Sequence, residues 1–348
     1  MNTRATPTMW DVARAAGVSQ ATVSLVINGA AGSRVSQATQ QRIRESVELL
    51  EYRPNATAKA LRDGVAGLVG FVGDEVASAP FSGAIVEGAQ ERAWQDGELL
   101  LVVNTGGLPE IEETAVELML SHQVRRFVYA SMFNRPVVVP KSLRAQGVVV
   151  VNAFDPTGEH CSVSPDEFGG GRAAVEHLVG AGHRRIAMIN IETLESGLPA
   201  AVGRYEGYVA ALTAAGLPLD DRLVRFGGGS TEHGFIHALS LLDIDDPPTA
   251  VFCANDRTAW GVYQALAERG LRIPQDVSIV GFDNQDTIAP FLRPPLTSMN
   301  LPFREMGWTA ADLLLTGGLA GPSPRSKSLL MQCDLVERNS VAPPRRSS

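Results

Sequence analysis

Cysteines and long apolar runs are scarce in this sequence. Only 3 of the 348 residues are cysteines, and they are far apart with no CxxC pair, so buried free thiols are the expected state. No apolar run approaches the roughly 20 residues that a membrane-spanning helix needs. The first residues also lack an apolar core followed by a small-residue cleavage site. We therefore expect a cytoplasmic chain with no membrane partner.

Basic charge is scarce over the whole chain but concentrated at its start. The formal net charge is −8, yet residues 1–63 carry 8 lysines and arginines against 5 acidic residues. The remaining residues carry 22 basic and 33 acidic side chains. A small basic segment on a large acidic one suggests an anionic partner for the N-terminal segment alone.

Signatures of catalysis and cofactor binding are also missing. The glycine runs at 169–171 and 227–229 fit neither the dinucleotide-binding GxGxxG pattern nor the GxxxxGK[ST] phosphate loop, and there is no GxSxG. His233 and His237 have a spacing that can hold a metal, but without a second pair of ligands a solvated helix face is favoured. No catalytic residue, cofactor or metal is predicted.

The stretch DVARAAGVSQATVSLVINGA at 11–30 has the pattern of two short helices joined at Gly17. Thr8 with Asp11 predicts a capped start for the first helix, and Ser19 predicts a capped start for the second. A third helix is predicted after Ser36. Periodicity alone leaves two structures equally open, a helix-turn-helix unit that enters the DNA major groove and a three-helix bundle without a ligand.

From Val65 onward short apolar strands alternate with amphipathic helices. This pattern predicts parallel sheets covered by helices on both faces. The segment is too long for one such sheet, so two doubly wound α/β subdomains are expected, with an eightfold βα barrel as the alternative.

Two regions of the sequence resemble the lac repressor family. In the first region the matching stretches are DVARAAGVSQATVSLVIN, then RVS at 34–36, then EYRPNATAKAL at 51–61. In the second they include AVEHLVGAGHRRIAMI at 174–189, AVFCANDRTAWGVYQAL at 250–266 and IPQDVSIVGFDN at 273–284. The resemblance implies an all-α helix-turn-helix head with a hinge helix. It also implies an effector domain of two periplasmic-binding-protein-like lobes joined by three crossovers.

The same resemblance implies domain boundaries. The head would cover 8–54, the hinge helix 55–63 and the effector domain 64–340. The first lobe would contain about 64–182 plus 303–322, and the second lobe about 183–300 plus 327–340. The polar, proline-rich ending VAPPRRSS predicts a disordered tail over 341–348.

Site residues for DNA follow from the resemblance, position by position. It implies that bases are read by Gln20, Ala21 and Leu25. At position 25 a leucine replaces the family's usual polar or basic side chain, which suggests an apolar contact. It implies that the hinge orders in the minor groove through Asn55, Ala58 and Leu61, with the leucine as a wedge. It implies that the head is positioned on phosphates by Thr22, Ser24, Asn28, Arg34, Ser36 and Thr39.

Polar residues at strand ends predict an effector site. Asn255 and Asp283 directly follow predicted strands, and Arg204 opens a predicted helix. Together they offer donors and acceptors that suit sugar hydroxyls. The resemblance assigns the same three residues to the effector and adds Phe81 as a stacking wall. Asp256 is expected only to cap its helix.

The predicted function is a homodimeric, sequence-specific DNA-binding transcriptional regulator. By family habit it would be a repressor of a palindromic double-stranded operator, controlled by a sugar or sugar derivative. Two alternatives come from other classes. One is a solute-binding protein without a DNA function, and the other is an enzyme on doubly wound domains, such as a sugar isomerase or dehydrogenase.

Overall fold

The chain forms two compact units, Met1–Ala66 and Gly67–Ser348, called here the head and the body. The computed structural model describes residues 7–29, 34–53, 67–76, 83–317 and 328–345. Among these residues no helix is both long and apolar enough to cross a membrane.

Capping residues set the helix starts of the head. Thr8 and Asp11 form a capping box, in which Thr8 Oγ1 accepts the Asp11 N–H at 3.4 Å and Asp11 Oδ2 accepts the Thr8 N–H at 2.9 Å. Gly17 ends the first helix with φ at 64°, a left-handed conformation that glycine adopts without a steric penalty. The predicted caps at Thr8 and Ser19 are confirmed, and the predicted helix after Ser36 begins with that serine as its cap. The helices are α1 (Met9–Ala16), α2 (Gln20–Ile27) and α3 (Gln37–Leu49).

The core of the head is small and takes one fully buried side chain from each helix. Val12, Val23 and Ile43 have no exposed surface and pack together. Tyr52, which follows α3, packs against the same cluster. This leaves most other side chains of the three helices at the surface.

The first lobe of the body is built on a parallel sheet of six strands. Their order is β11-β5-β4-β3-β1-β2. Successive residues of a strand face opposite sides, so Val128 packs with α4 and α10 while Phe127 and Tyr129 pack with α5. The strands are β1 (Leu68–Gly73), β2 (Leu99–Asn104), β3 (Arg126–Ala130), β4 (Gly147–Val151), β5 (Cys161–Pro165) and β11 (Ser328–Met331). The helices are α4 (Gly83–Gln95), α5 (Pro109–Ser121) and α10 (Phe303–Leu315).

The second lobe repeats this arrangement. Its sheet has the order β12-β10-β9-β8-β6-β7, and only β12 pairs antiparallel with its neighbour. α6 and α7 pack on one face, and α8 and α9 pack on the other. The strands are β6 (Ile186–Ile189), β7 (Val224–Arg225), β8 (Ala250–Cys253), β9 (Ser278–Asp283), β10 (Thr297–Asn300) and β12 (Leu335–Val336). The helices are α6 (Glu167–Gly180), α7 (Pro199–Ala214), α8 (Thr231–Leu242) and α9 (Asp256–Glu268). The predicted fold class, a helical head followed by two doubly wound lobes, is confirmed.

The chain crosses between the lobes three times, and two crossovers differ from the predicted boundaries. The first follows β5, because α6 packs on the second sheet, whereas the prediction kept residues up to 182 in the first lobe. The third follows β11, which pairs with β5 as the outer strand of the first sheet. The prediction had placed 327–340 wholly in the second lobe.

Residues 341–345 are not the disordered tail that composition predicts. The Ala342 N–H donates to Ser278 Oγ at 3.1 Å, and the Ala342 carbonyl accepts from His183 Nε2 at 2.9 Å. Arg345 forms an ion pair with Asp276 at 2.8 Å. These contacts tie this segment to the second lobe.

Candidate functional site

α2 presents one face to solvent and the other to the core. Val23 is fully buried, whereas Gln20 and Ala21 at the start of the helix are exposed and Leu25 is half-buried. Ala21 and Leu25 are four residues apart, so their side chains lie on the same side of the helix. The three predicted base-reading residues therefore lie on or beside the accessible surface of a slim helix.

The predicted phosphate contacts are ordered by local hydrogen bonds. Thr22 Oγ1 lies 2.9 Å from Ser19 Oγ, and Thr39 Oγ1 lies 2.9 Å from Ser36 Oγ. Both pairs stand at helix N-termini, where backbone N–H groups favour anions. At the other end of α2, Asn28 Nδ2 donates to the Ser24 carbonyl at 2.8 Å and to its hydroxyl at 3.1 Å. Arg34 is exposed.

Four predicted site residues lie outside the described residues. They are Asn55, Ala58 and Leu61 of the hinge and Phe81 of the effector wall.

The body contains a cleft between its lobes at the carboxyl ends of the strands. Arg204, Asn255 and Asp283 of the second lobe meet there, as predicted from sequence. In this arrangement of the lobes the cleft has a cavity volume of about 60 Å³, smaller than the roughly 300–1,000 Å³ of most small-molecule sites. Its first-lobe wall consists of Met132, Phe133, Asn134 and Asn152.

Arg204 is the centre of the second-lobe side of the cleft. Its side chain is buried and stacks over the Phe282 ring at 3.8 Å. Its Nε donates to Glu167 Oε2 at 2.7 Å, and one terminal nitrogen lies 3.6 Å from Asp283 Oδ1 and donates to the Ala254 carbonyl. Burial alone would lower the pKa of Arg204, but the two carboxylates outweigh it and raise that pKa. The guanidinium is thus fixed and charged.

Close packing of α6 and α7 brings Glu167 to Arg204. A Cβ on Gly171 would lie 2.6 Å from the Arg204 carbonyl oxygen, and one on Gly207 would overlap the Phe168 carbonyl. Only glycine permits this approach. α7 begins at Pro199, so Arg204 lies inside its helix and does not open it as predicted. Sequence reasoning missed Glu167; its signal was the glycine content of both helices.

Asp283 stands on a turn with unusual backbone angles. Its φ is 98° and that of Asn284 is 51°, both in the region that favours glycine. Gln285 Nε2 donates to Asp283 Oδ2 at 2.9 Å. Burial raises the pKa of Asp283 to about 6, even though Arg204 opposes the shift.

Asp256 has a different role from the predicted one. The cap of α9 is Asn255, whose Oδ1 accepts the Thr258 N–H at 2.7 Å. Asp256 is fully buried, with Oδ2 accepting the Gln285 N–H and Oδ1 accepting the Ser298 hydroxyl, both at 2.6 Å. Burial raises the pKa of Asp256 well above its ordinary value. Asp256 therefore holds the turn that carries Asp283.

The first-lobe wall is held by a polar network that sequence reasoning also missed. Asp74 accepts from the Ser131 hydroxyl at 2.7 Å, from the Met132 N–H at 2.8 Å and from Arg135 at 3.0 Å. Asn152 Nδ2 donates to the Ser131 carbonyl at 3.0 Å and the Met132 carbonyl at 2.8 Å. Burial would raise the pKa of Asp74, but hydrogen bonds from the Glu75 N–H, the Ser131 hydroxyl, Arg135 and the Met132 N–H together lower it.

Comparisons with known proteins match both units. The model of the lacI family of bacterial regulatory proteins matches residues 8–55, and that of the periplasmic binding protein-like domain matches 175–341. The HTH-type transcriptional regulator GalR of Salmonella typhimurium (strain LT2) is 35% identical, over 97% of this chain and 96% of its own. The HTH-type transcriptional repressor CytR of Escherichia coli (strain K12) is 31% identical, over 96% of each chain.

Solved structures agree with the sequence matches. The lac repressor dimer bound to operator and the anti-inducer ONPF has a TM-score of 0.79 and 28% identity, covering 97% of this chain and 100% of that one. The complex of the transcriptional regulator CelR with cellobiose has a TM-score of 0.64 and 29% identity, covering 96% of this chain and 99% of that one.

Proposed function

The chain belongs to the lacI family of bacterial regulatory proteins, and on that premise we propose that it represses transcription from a palindromic DNA operator under the control of a small sugar-like effector. The observation that carries this proposal is the joining, in one chain, of a capped helix-turn-helix head to a two-lobed body with a polar cleft. A ligand can exert control only if it binds two arrangements of the body differently.

On DNA, α2 enters the major groove and reads base edges with Gln20, Ala21 and Leu25. A glutamine can pair bidentately with adenine, and a leucine can contact a thymine methyl group. Phosphates are contacted by Thr22, Ser24, Asn28, Arg34, Ser36 and Thr39, which fix the position of the head without carrying sequence information. Asn55, Ala58 and Leu61 enter the minor groove, where Leu61 unstacks a base step.

The operator is palindromic because the protein is a homodimer. Support comes from β2, which is an edge strand whose apolar Leu99, Leu101 and Val102 side chains are 50%, 38% and 36% exposed. Trp94, at the end of the neighbouring helix α4, is 67% exposed. Burying this exposed apolar edge strand is favourable, and the same edge strand of a second copy can bury it in a homodimer interface.

The effector binds in the cleft, with Arg204, Asn255 and Asp283 forming hydrogen bonds to its hydroxyls and Phe81 stacking on it. Two similar proteins support a sugar-like class, since CelR was solved with cellobiose and the lac repressor with ONPG. The role is binding and not catalysis, because the relatives that match along almost the whole chain are transcriptional regulators. Purified protein should turn over no sugar. The protein acts in the cytoplasm, where an operator is accessible.

Selection from a random duplex library tests the DNA-binding half of this proposal. The full-length protein should enrich a palindrome, while a truncation beginning at Val65 should enrich nothing. Enrichment by both proteins, or by neither, would contradict an operator read by the head.

A further inference from the structure

Asn134, in the loop after β3, lines the cleft and carries a buried amide oxygen without a hydrogen-bond partner among the described residues. The residue is 9% exposed. Within the described part of the chain, its Oδ1 accepts no hydrogen bond. A buried polar atom without a partner is costly, so native structures seldom keep one without a use. The unpaired oxygen marks a place for a donor that the described residues do not supply.

The other two amides of the cleft differ from Asn134 in this respect. Asn152 Nδ2 donates to two carbonyls of the β3 loop, and so braces that loop. Asn255 caps α9 through Oδ1 and donates through Nδ2 to the Gly229 carbonyl at 2.9 Å. Each of these two amides therefore has a structural role. Of the three amides, Asn134 is the one whose oxygen is buried without a hydrogen-bond partner among the described residues.

The loop holds Asn134 in this position from both sides. Before it, Asp74 binds the Ser131 hydroxyl and the Met132 N–H. After it, Arg135 donates to Asp74 and to the Ser131 hydroxyl, each at 3.0 Å. A side chain between two anchored neighbours is pre-organised, so a ligand would not have to order it.

We propose that Asn134 is a specificity-determining contact of the first lobe, accepting a hydrogen bond from a hydroxyl group of the effector. This inference rests on the proposed function, since it assigns a residue to the same cleft. Arg204 and Asp283 hold the ligand from the second lobe, and Asn134 holds it from the first. A ligand that contacts both lobes favours the arrangement in which they are close.

Three variants of the full-length chain separate a ligand contact from a structural role. Asn134→Leu removes the amide at nearly constant size, Asn134→Asp keeps the acceptor, and Asn152→Leu removes an amide whose Nδ2 donates two hydrogen bonds to the fold. Without ligand, Asn134→Leu should melt at or above the wild-type temperature, because it removes an unpaired buried group. Asn152→Leu should melt lower. A fall for Asn134→Leu as large as that for Asn152→Leu would overturn the proposal.

Titration calorimetry with D-galactose, D-glucose, D-ribose and cellobiose then measures binding. A sugar that binds the wild type should bind Asn134→Leu about tenfold more weakly, and Asn134→Asp with an affinity closer to wild type. Equal affinity for wild type and Asn134→Leu would overturn the role of Asn134 alone. If the wild type binds none of these sugars, the proposed sugar effector is overturned instead, and with it this inference.

Discussion

The head and the body use polar side chains in opposite ways. In the head they are exposed and bonded to neighbours three residues away, as in the pairs Thr8–Asp11 and Ser19–Thr22. In the body the important pairs are buried and distant in sequence. Arg204 and Glu167 are 37 positions apart, and Asp256 and Ser298 are 42 apart.

This difference has energetic consequences. An exposed polar residue can be replaced with little effect on folding, so the surface residues of the head can be chosen for DNA recognition without loss of stability. A buried charge is tied to its partner, and removing one member leaves the other uncompensated. Substitutions in the cleft should therefore affect stability as well as binding, whereas substitutions at exposed positions of α2 should affect binding alone.

The largest expected effect is that of Arg204→Met. It leaves the Glu167 and Asp283 carboxylates without their cation and should cost about 3–5 kcal/mol of unfolding free energy, measured by urea denaturation of the body. The matched control is Arg172→Met, because Arg172 pairs with Glu176 at 2.6 Å on the surface of α6. That exposed pair should contribute less than about 0.5 kcal/mol. Equal losses of unfolding free energy in the two variants would refute the difference between the buried and the exposed ion pair.

A pH dependence should come next in size. The pKa of Asp283 is about 6 in the folded body, against 3.8 as the ordinary value. Between these values the native state keeps a proton that the unfolded chain has released, so stability falls as the pH rises from about 4 to 6. The loss should reach about 3 kcal/mol by neutral pH. Urea unfolding between about pH 4 and 6 should show an unfolding free energy that falls with pH in the wild type and falls less in Asp283→Asn. Identical pH slopes for the two proteins would contradict this role of Asp283.

On the head, Gln20→Ala should weaken binding without affecting the fold. Losing a bidentate base contact should reduce operator affinity by about 1–3 kcal/mol, measured by fluorescence anisotropy at fixed salt. The melting temperature should not change, because Gln20 is exposed. Gln41→Ala, at an exposed position of α3, serves as the control and should leave operator affinity unchanged. A drop of the same size for Gln41→Ala would rule out specific reading by Gln20.

The smallest expected effect is that of Thr8→Ala. It removes the side-chain half of the capping box of α1 and should cost about 1 kcal/mol of local stability. Amide hydrogen exchange at Asp11 and Val12 should become about fivefold faster. Thr114→Ala, in the interior of α5, should not speed up exchange at the start of its own helix. Unchanged exchange in Thr8→Ala would show that the cap does not limit opening there.

The same difference decides what could be predicted from sequence. The caps Thr8 and Ser19 act over three residues, so a local pattern was enough to find them. Glu167 was missed because only the packing of α6 on α7 brings it to Arg204.

The misassigned residues have the same cause. Asn255 and Asp256 are adjacent buried polar residues at one helix start. Asn255 caps the helix, and the distant turn at Gln285 gives Asp256 its different role. The third crossover was misplaced because β11 is only four residues long and its pairing with β5 joins distant parts of the chain. The first was misplaced because only tertiary packing puts α6 on the second sheet.

The central claim is that the cleft of the body controls the head. The most direct test is the operator affinity of the full-length protein at fixed salt, with and without each sugar that calorimetry shows to bind. We expect at least one such sugar to change operator affinity by about fivefold or more in the wild type, and to have little effect in Asp283→Asn. If sugars bind the cleft and operator affinity stays the same with every one of them, the two units are not coupled and the account is wrong.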